Sequence, residues 1–183
     1  LTHQGYQQPT LMQTQGYELY KGKNELEAAL KANHLNIEHR YFGESVPDSI
    51  QWQYLTLEQV TADLHKINQL FKPMYKNKWI STGISKGGQT TIFYKFFYPD
   101  DVDVTVAYVC PLNFAVEDGR HEPFLRKVPG TAEQRKKIEE FQIEVLKNRK
   151  VLVRRLEAYS KEKNYSYRIS PNKVFDYCVL EYP

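Results

Sequence analysis

The first 125 residues alternate between short apolar runs and longer segments in which apolar residues recur at helical spacing. The apolar runs predict four strands, which are Leu11–Thr14, Leu35–Tyr41, Trp79–Thr82 and Val102–Val109. The helical segments between them are short enough to cross over a sheet and join parallel strands. The pattern therefore predicts an α/β fold with a mostly parallel sheet.

Helix boundaries are marked by capping residues and prolines. The segment Asn24–Ala32 is predicted to be a short helix that its first residue caps. A second helix begins with a capping box at Thr56 and continues, with an apolar face, until Pro73 ends it. A third helix follows Ser85 and ends before Pro99.

From Thr131 onwards the pattern changes to a charged segment with helical spacing. A second capping box, Thr131–Gln134, opens about thirty residues without glycine or proline, a length unusual for one helix. Its apolar stripe consists of Ile138, Phe141, Val145, Leu146, Leu152 and Leu156. The segment is therefore predicted to be a helical insertion and not another crossover.

The net charge of +3 comes from an excess of basic residues in the same C-terminal segment. Its basic cluster consists of Lys147, Arg149, Lys150, Arg154 and Arg155. These residues suggest a nucleic-acid surface, but glutamates are interleaved with them, which favours a solvated helix face. Because no DNA- or RNA-binding motif accompanies the cluster, we expect no nucleic-acid partner.

The composition, 41% hydrophobic and 26% charged, is typical of a globular protein, and fourteen tyrosines argue against disorder. No apolar run is long enough to span a membrane. Neither histidines nor cysteines have metal-ligand spacing, so no metal or cofactor is expected. Cys110 is expected to be a buried free thiol, although a disulfide with Cys178 stays open. His34 and His65 are expected on helix surfaces, and His39 is expected to be neutral and buried.

The strongest chemical motif is Gly83–Gly87, which matches G-x-S-x-G with Ser85 at its centre. A predicted strand precedes Ser85 and a predicted helix follows it, as the nucleophile elbow of an α/β-hydrolase requires. The serine must project from a sharp, strained turn, and only glycine fits at the two flanking positions. The motif therefore predicts Ser85 as a nucleophile, with a glycine-rich turn around an ordinary serine as the alternative.

An oxyanion hole is expected beside this turn. Its first donor would be the backbone N–H of Lys86, the residue after the nucleophile. The second donor would come from the loop after the strand Leu11–Thr14, at Gly16 or Tyr17. A plain turn is the alternative explanation for Gly16.

Four segments in order, 1–6, 14–17, 39–45 and 79–88, together resemble one peptidase family. They contain Thr-Gln-Gly-Tyr at 14–17, His-Arg-Tyr-Phe-Gly-Glu-Ser at 39–45 and Gly-Ile-Ser-Lys-Gly-Gly at 83–88. The chain is similar to the bacterial secreted prolyl tri- and tetrapeptidyl aminopeptidases, which resemble the prolylcarboxypeptidases more distantly. The likeness is strong over roughly the first 125 residues and weaker beyond them.

This resemblance implies a serine peptidase, secreted or periplasmic, that releases short peptides from a free N-terminus, often after proline. Residues 1–125 would form the N-terminal part of its α/β-hydrolase catalytic domain, and residues 126–183 the start of a helical cap. Glu44 could bind the substrate ammonium, with Arg40 beside it, although a surface carboxylate or an ion pair with Arg40 is favoured for Glu44. An esterase, or a non-catalytic fragment that binds a partner, stays open.

The base and acid of the triad are not evident in these 183 residues. Asp118 and His121 follow Ser85 in the required order, but they are too close in sequence to occupy the two separate loops of the fold. A hydrogen-bonded loop at Glu117, Asp118 and Arg120 is favoured. The chain also begins at Leu1 with no signal peptide, so we expect it to be a truncated piece of a longer protein. The sequence leaves the oligomeric state open.

Overall fold

A computed structural model describes residues 1–19 and 22–181. The chain divides into two compact units, Leu1–Asn113 and Phe114–Pro183. The first unit contains every strand of the described residues, and the second contains only helices and loops. The division falls about a dozen residues before the boundary expected from the sequence.

The first unit contains a four-stranded parallel sheet in the order β2-β1-β3-β4. The strands are β1 (Thr10–Gly16), β2 (Asn33–Glu38), β3 (Trp79–Ile84) and β4 (Val104–Tyr108). All four predicted strands are therefore confirmed, and β2 begins and ends a few residues earlier than its apolar run suggested. The α/β class predicted from the alternation is confirmed as well.

Helices α1 (Glu25–Leu30), α2 (Leu57–Phe71) and α3 (Lys86–Phe97) connect these strands. Asn24 caps α1 in a complete capping box, as expected. The Thr56 side chain accepts a hydrogen bond from the backbone N–H of Gln59 and caps α2. A short 3-10 helix, Trp52–Tyr54, lies in the connection between β2 and α2.

The sheet carries a hydrophobic core on each face. Met12 and Trp79 point to one face, where Leu64 of α2 and Tyr94 of α3 pack against them. Leu11 and Ile80, one residue away along the same strands, point to the other face, where Ala32 covers them. Because successive strand side chains alternate between faces, both faces must be covered by helices, which gives the near-continuous apolar strands of a parallel sheet.

The prediction that His34 lies on a helix surface is wrong, because His34 lies in β2 and is buried. Its Nδ1 lies 2.9 Å from the carboxylate of Glu27, and its Nε2 lies 2.9 Å from the side-chain oxygen of Gln13. Burial lowers the pKa of His34 below its ordinary value, although the nearby Glu27 carboxylate opposes this effect. The start of β2 is polar, since its side chains make these buried hydrogen bonds. The apolar pattern therefore did not mark it as part of the strand.

The second unit contains α4 (His121–Lys127), α5 (Ala132–Lys147), α6 (Arg149–Glu162) and α7 (Pro171–Leu180). The predicted capping box at Thr131 is present. The long helical segment is interrupted at Asn148, whose ψ of 10° ends α5. Val153 of α6 and two residues of α7, Phe175 and Val179, form a small core.

Both cysteines are free, and Cys110 is partly buried while Cys178 is exposed. The predicted buried thiol is therefore only partly buried. None of the helices in the described part of the chain has the length and hydropathy of a transmembrane span. The same residues contain no group of three or more His, Cys, Asp or Glu side chains arranged to hold a metal ion.

Candidate active site

Ser85 is the single residue between β3 and α3, and its backbone is strained. Its φ of 56° and ψ of −117° lie in a region that residues with a Cβ rarely adopt. Hydrogen bonds hold the turn from both sides: the Ser85 N–H donates to the Tyr108 carbonyl at 3.0 Å, and the Ser85 carbonyl accepts from Gln89 N–H at 3.0 Å. The side chain is exposed at the end of the sheet.

The glycines flanking Ser85 are required by close backbone approach. A Cβ on Gly83 would lie 2.3 Å from the carbonyl carbon of Gly87. A Cβ on Gly87 would lie 2.9 Å from the Cα of Gln15 in β1. A Cβ on the neighbouring Gly88 would lie 2.9 Å from the Tyr108 carbonyl oxygen. The helix therefore starts directly against the strand ends, which no larger residue allows.

The elbow lies at the topological switch point of the sheet. From β1 the chain goes to β2 on one side, and later to β3 on the other side of β1. Open α/β sheets bind ligands at the carboxyl ends of the two strands between which the order reverses. Here those strands are β1, which ends at Gly16, and β3, which leads to Ser85.

Side chains at the end of β1 connect it to the elbow. The Gln15 side-chain oxygen accepts a hydrogen bond from Ile84 N–H at 3.1 Å. The buried Thr14 hydroxyl lies 3.1 Å from the Thr82 carbonyl oxygen and 2.9 Å from that of Gly87. Neither role was predicted from the sequence, although both residues belong to the Thr-Gln-Gly-Tyr segment that carried the resemblance.

The expected oxyanion donors lie on adjacent elements. Lys86 is the first residue of α3, so its backbone N–H has no partner within the helix and lies at the positive end of the helix dipole. Gly16 has a φ of 81°, and a Cβ there would overlap the His39 ring. Gly16 is thus required by its conformation and its neighbour, which is more than a plain turn requires. Tyr17 follows it, next to the Lys86 side chain.

The Lys86 side chain was missed by the sequence analysis, which considered only its backbone. Its Nζ donates to the Gln15 carbonyl at 3.2 Å and lies 2.9 Å from Nδ1 of His39. It also lies over the rings of Tyr17, at 4.5 Å, and Phe42, at 4.7 Å. Burial lowers the pKa of Lys86 to about 8.

His39 is buried beside this ammonium, as expected of a neutral structural histidine. Burial, with a smaller contribution from the charge of Lys86, lowers the pKa of His39 to about 4.

The remaining histidines of the first unit have partners away from Ser85. His3 contacts the Tyr75 hydroxyl, and His65 contacts Asp101 while stacking on Tyr98. Among the described residues of Leu1–Asn113, no histidine is hydrogen-bonded to Ser85.

The loop after β2 carries the two expected substrate contacts, Arg40 and Glu44. The Arg40 guanidinium binds the Asp63 carboxylate of α2 through two hydrogen bonds, of 2.6 and 2.7 Å. Its ion-pair partner is thus Asp63 and not Glu44. Glu44 is exposed. The same loop is closed by Glu38, whose carboxylate accepts hydrogen bonds from the N–H and hydroxyl of Ser45.

Asp118 and His121 belong to the second unit, and Asp118 is engaged locally. The Arg120 Nε donates to the Asp118 carboxylate at 2.9 Å, and the Arg120 guanidinium lies over the Phe114 ring. Hydrogen bonds from Arg120 hold the pKa of Asp118 well below its ordinary value. The hydrogen-bonded loop favoured for this segment is confirmed for Asp118 and Arg120, and His121 begins α4.

A parallel sheet with a strained serine between strand and helix, at the switch point, defines a fold of the α/β-hydrolase type. The chain belongs to the PS-10 peptidase S37 family, whose model matches residues 1–183. It is 32% identical to the prolyl tri/tetrapeptidyl aminopeptidase of Streptomyces mobaraensis, over 99% of this chain and 39% of that protein. It is also 31% identical to a putative serine protease of Caenorhabditis elegans, over 47% of this chain and 17% of that protein. The chain therefore spans well under half of the length of these relatives.

Proposed function

We propose that the chain is part of a serine aminopeptidase that releases tri- and tetrapeptides from peptide N-termini, often after proline. The observation that carries the proposal is the strained turn at Ser85, which presents an exposed hydroxyl at the switch point of the sheet. Membership in the S37 peptidase family and the similarity to a prolyl tri/tetrapeptidyl aminopeptidase support peptide as the substrate.

In this mechanism the Ser85 Oγ attacks the scissile carbonyl and forms an acyl-enzyme that water then hydrolyses. The oxyanion of the tetrahedral intermediate would accept hydrogen bonds from the Lys86 N–H and from the N–H of Gly16 or Tyr17. The dipole of α3 adds positive potential at the same point. A histidine base and its carboxylate partner complete the triad, and we propose that neither is Asp118 or His121, because Asp118 is held by Arg120.

A carboxylate near the site would bind the free N-terminus of the substrate. Glu44 is a candidate, since it is exposed on the loop after β2 and the structure pairs Arg40 with Asp63 instead. Arg40 would then act indirectly, by fixing this loop to α2. We further propose that residues 126–183 begin a helical cap over the substrate and that the protein is secreted or periplasmic, on the strength of the family resemblance.

The proposal is tested by labelling the complete protein with a fluorophosphonate probe, which reacts with activated serines. Ser85 is expected to be the labelled residue, and Ser85→Ala is expected to abolish labelling and to lower kcat by several orders of magnitude. Ser49→Ala, which removes another exposed serine hydroxyl of the same unit, is the matched control and should keep full labelling. Labelling that survives Ser85→Ala would refute the proposal. Faster turnover of a short-chain p-nitrophenyl ester than of a proline tripeptide p-nitroanilide would indicate an esterase.

A further inference from the structure

The Lys86 ammonium is enclosed by groups from two different loops. The end of β1 supplies the Gln15 carbonyl oxygen, 3.2 Å away, and the ring of Tyr17, whose centroid is 4.5 Å away. The segment after β2 supplies His39 Nδ1, at 2.9 Å, and the ring of Phe42, at 4.7 Å. The two rings meet edge to face, with centroids 5.4 Å apart. A single cation thus joins both loops to the first turn of α3.

We propose that the side chain of Lys86 is a positioning residue for catalysis, which holds the loop carrying the Gly16 and Tyr17 N–H groups against the Ser85 turn. The inference rests on the proposed serine-hydrolase function at Ser85. Lys86 then acts twice, since its backbone N–H is one oxyanion donor and its side chain fixes the loop that supplies the other. Oxyanion donors are effective only when they are held in place before the charge develops.

The contacts favour a charge-dependent role over simple packing. Two aromatic faces and a carbonyl oxygen attract an ammonium, and a neutral chain of the same length would lose all of these electrostatic contacts. The surroundings also suit an ammonium better than a guanidinium, because four groups lie around one compact nitrogen. Among the described residues no hydrogen bond joins Nζ to Ser85, so Lys86 is placed as a positioning group and not as the base.

The test compares Lys86→Met, which keeps the length of the side chain and removes its charge, with Lys86→Arg, which keeps the charge. Lys95→Met is the matched control, because Lys95 lies on the same helix but binds the Val102 carbonyl, away from Ser85. In the complete protein, Lys86→Met is expected to lower kcat about 10²-fold, as the loss of an oxyanion donor does, with KM changed less than about threefold. Lys86→Arg should recover part of that loss, and Lys95→Met should leave kcat unchanged.

Further measurements separate positioning from folding. A peptide boronate, which forms a tetrahedral adduct with the serine, should lose affinity in Lys86→Met by a factor similar to the loss in kcat. Unchanged kcat in Lys86→Met would overturn the inference, and so would a loss of activity that only follows the fraction of unfolded protein at the assay temperature. If Lys86→Met does not fold, Tyr17→Leu can replace it, because it removes one aromatic face next to the ammonium. Tyr17→Leu should lower kcat by a smaller factor and again leave KM nearly unchanged. Failure of the proposed function itself would appear earlier, as an unlabelled Ser85 in the unmodified protein.

Discussion

Nζ of Lys86 and Nδ1 of His39 lie 2.9 Å apart; His39 is buried and Lys86 is partly buried. An ammonium has only donors, so Nδ1 must accept the hydrogen bond and the ring proton must sit on Nε2. The pair is stable only while His39 is neutral, because protonation would remove the acceptor and place two cations in contact. Burial, and to a smaller extent the charge of Lys86, lowers the pKa of His39 to about 4.

Acidification is therefore expected to destabilise the first unit. The pKa of His39 is about 4 in the folded protein and 6.5 in its ordinary state, so between these pH values the unfolded chain binds the proton more strongly. Stability should be highest above pH 6.5 and fall as the pH decreases towards 4, by up to about 3 kcal/mol from this group. His34, whose pKa is also lowered by burial, acts in the same direction.

Urea unfolding of the protein between pH 4.5 and 7.5 measures this dependence. His39→Gln should flatten the pH dependence without removing it, because His34 remains. An identical dependence in the two proteins would show that His39 does not titrate in this range, and would refute the assignment of the buried neutral ring.

Replacement of Gly83 by alanine is expected to distort the elbow. The added Cβ would lie 2.3 Å from the Gly87 backbone, which cannot move without shifting the start of α3. Gly83→Ala should lower the free energy of unfolding by more than about 2 kcal/mol and remove fluorophosphonate labelling of Ser85. Gly119→Ala is the matched control, since a Cβ there has no neighbour within 4 Å, and it should change stability by less than about 0.5 kcal/mol.

Acetylation of the substrate N-terminus is expected to abolish turnover if the protein is an aminopeptidase. The blocked peptide lacks the ammonium that an acidic pocket binds, and the carboxylate of that pocket would lose its partner. The measurement compares free and acetylated proline tripeptide p-nitroanilides, with Glu44→Gln as the variant that should lower the preference for the free peptide. Equal rates on both substrates would favour an endopeptidase.

The 183 residues on their own are expected to be catalytically inactive. The described histidines of the first unit have partners other than Ser85, so the Ser85 hydroxyl has no histidine base within that unit. Only oxyanion and binding effects would remain, worth about 10³–10⁴ over water. Peptidase turnover by the purified 183-residue chain, close to that of the complete protein, would contradict this prediction and would point to His121 as the base.

Local patterns in the sequence were enough for the α/β class and for the elbow. Strand and helix periodicity, the caps at Asn24, Thr56 and Thr131, and the glycines around Ser85 each depend on neighbours within a few residues. Such local constraints can be recognised from the sequence alone. The strained turn at Ser85 was predicted in the same way, because Gly83 and Gly87 are the residues that its close backbone approach requires.

The surroundings of Lys86 were decided by the tertiary structure. Tyr17 follows β1, whereas His39 and Phe42 follow β2, and the parallel strand order brings both stretches, far from Lys86 in sequence, to one edge of the sheet. The partner of Arg40 and the burial of His34 were missed for the same reason, since Asp63 and Glu27 lie on helices packed against the sheet.

The sequence by itself determined which residue is the nucleophile candidate and how its turn is made. Only packing decided which charges are buried beside it, because burial and pairing depend on strand register and helix placement that no local pattern records.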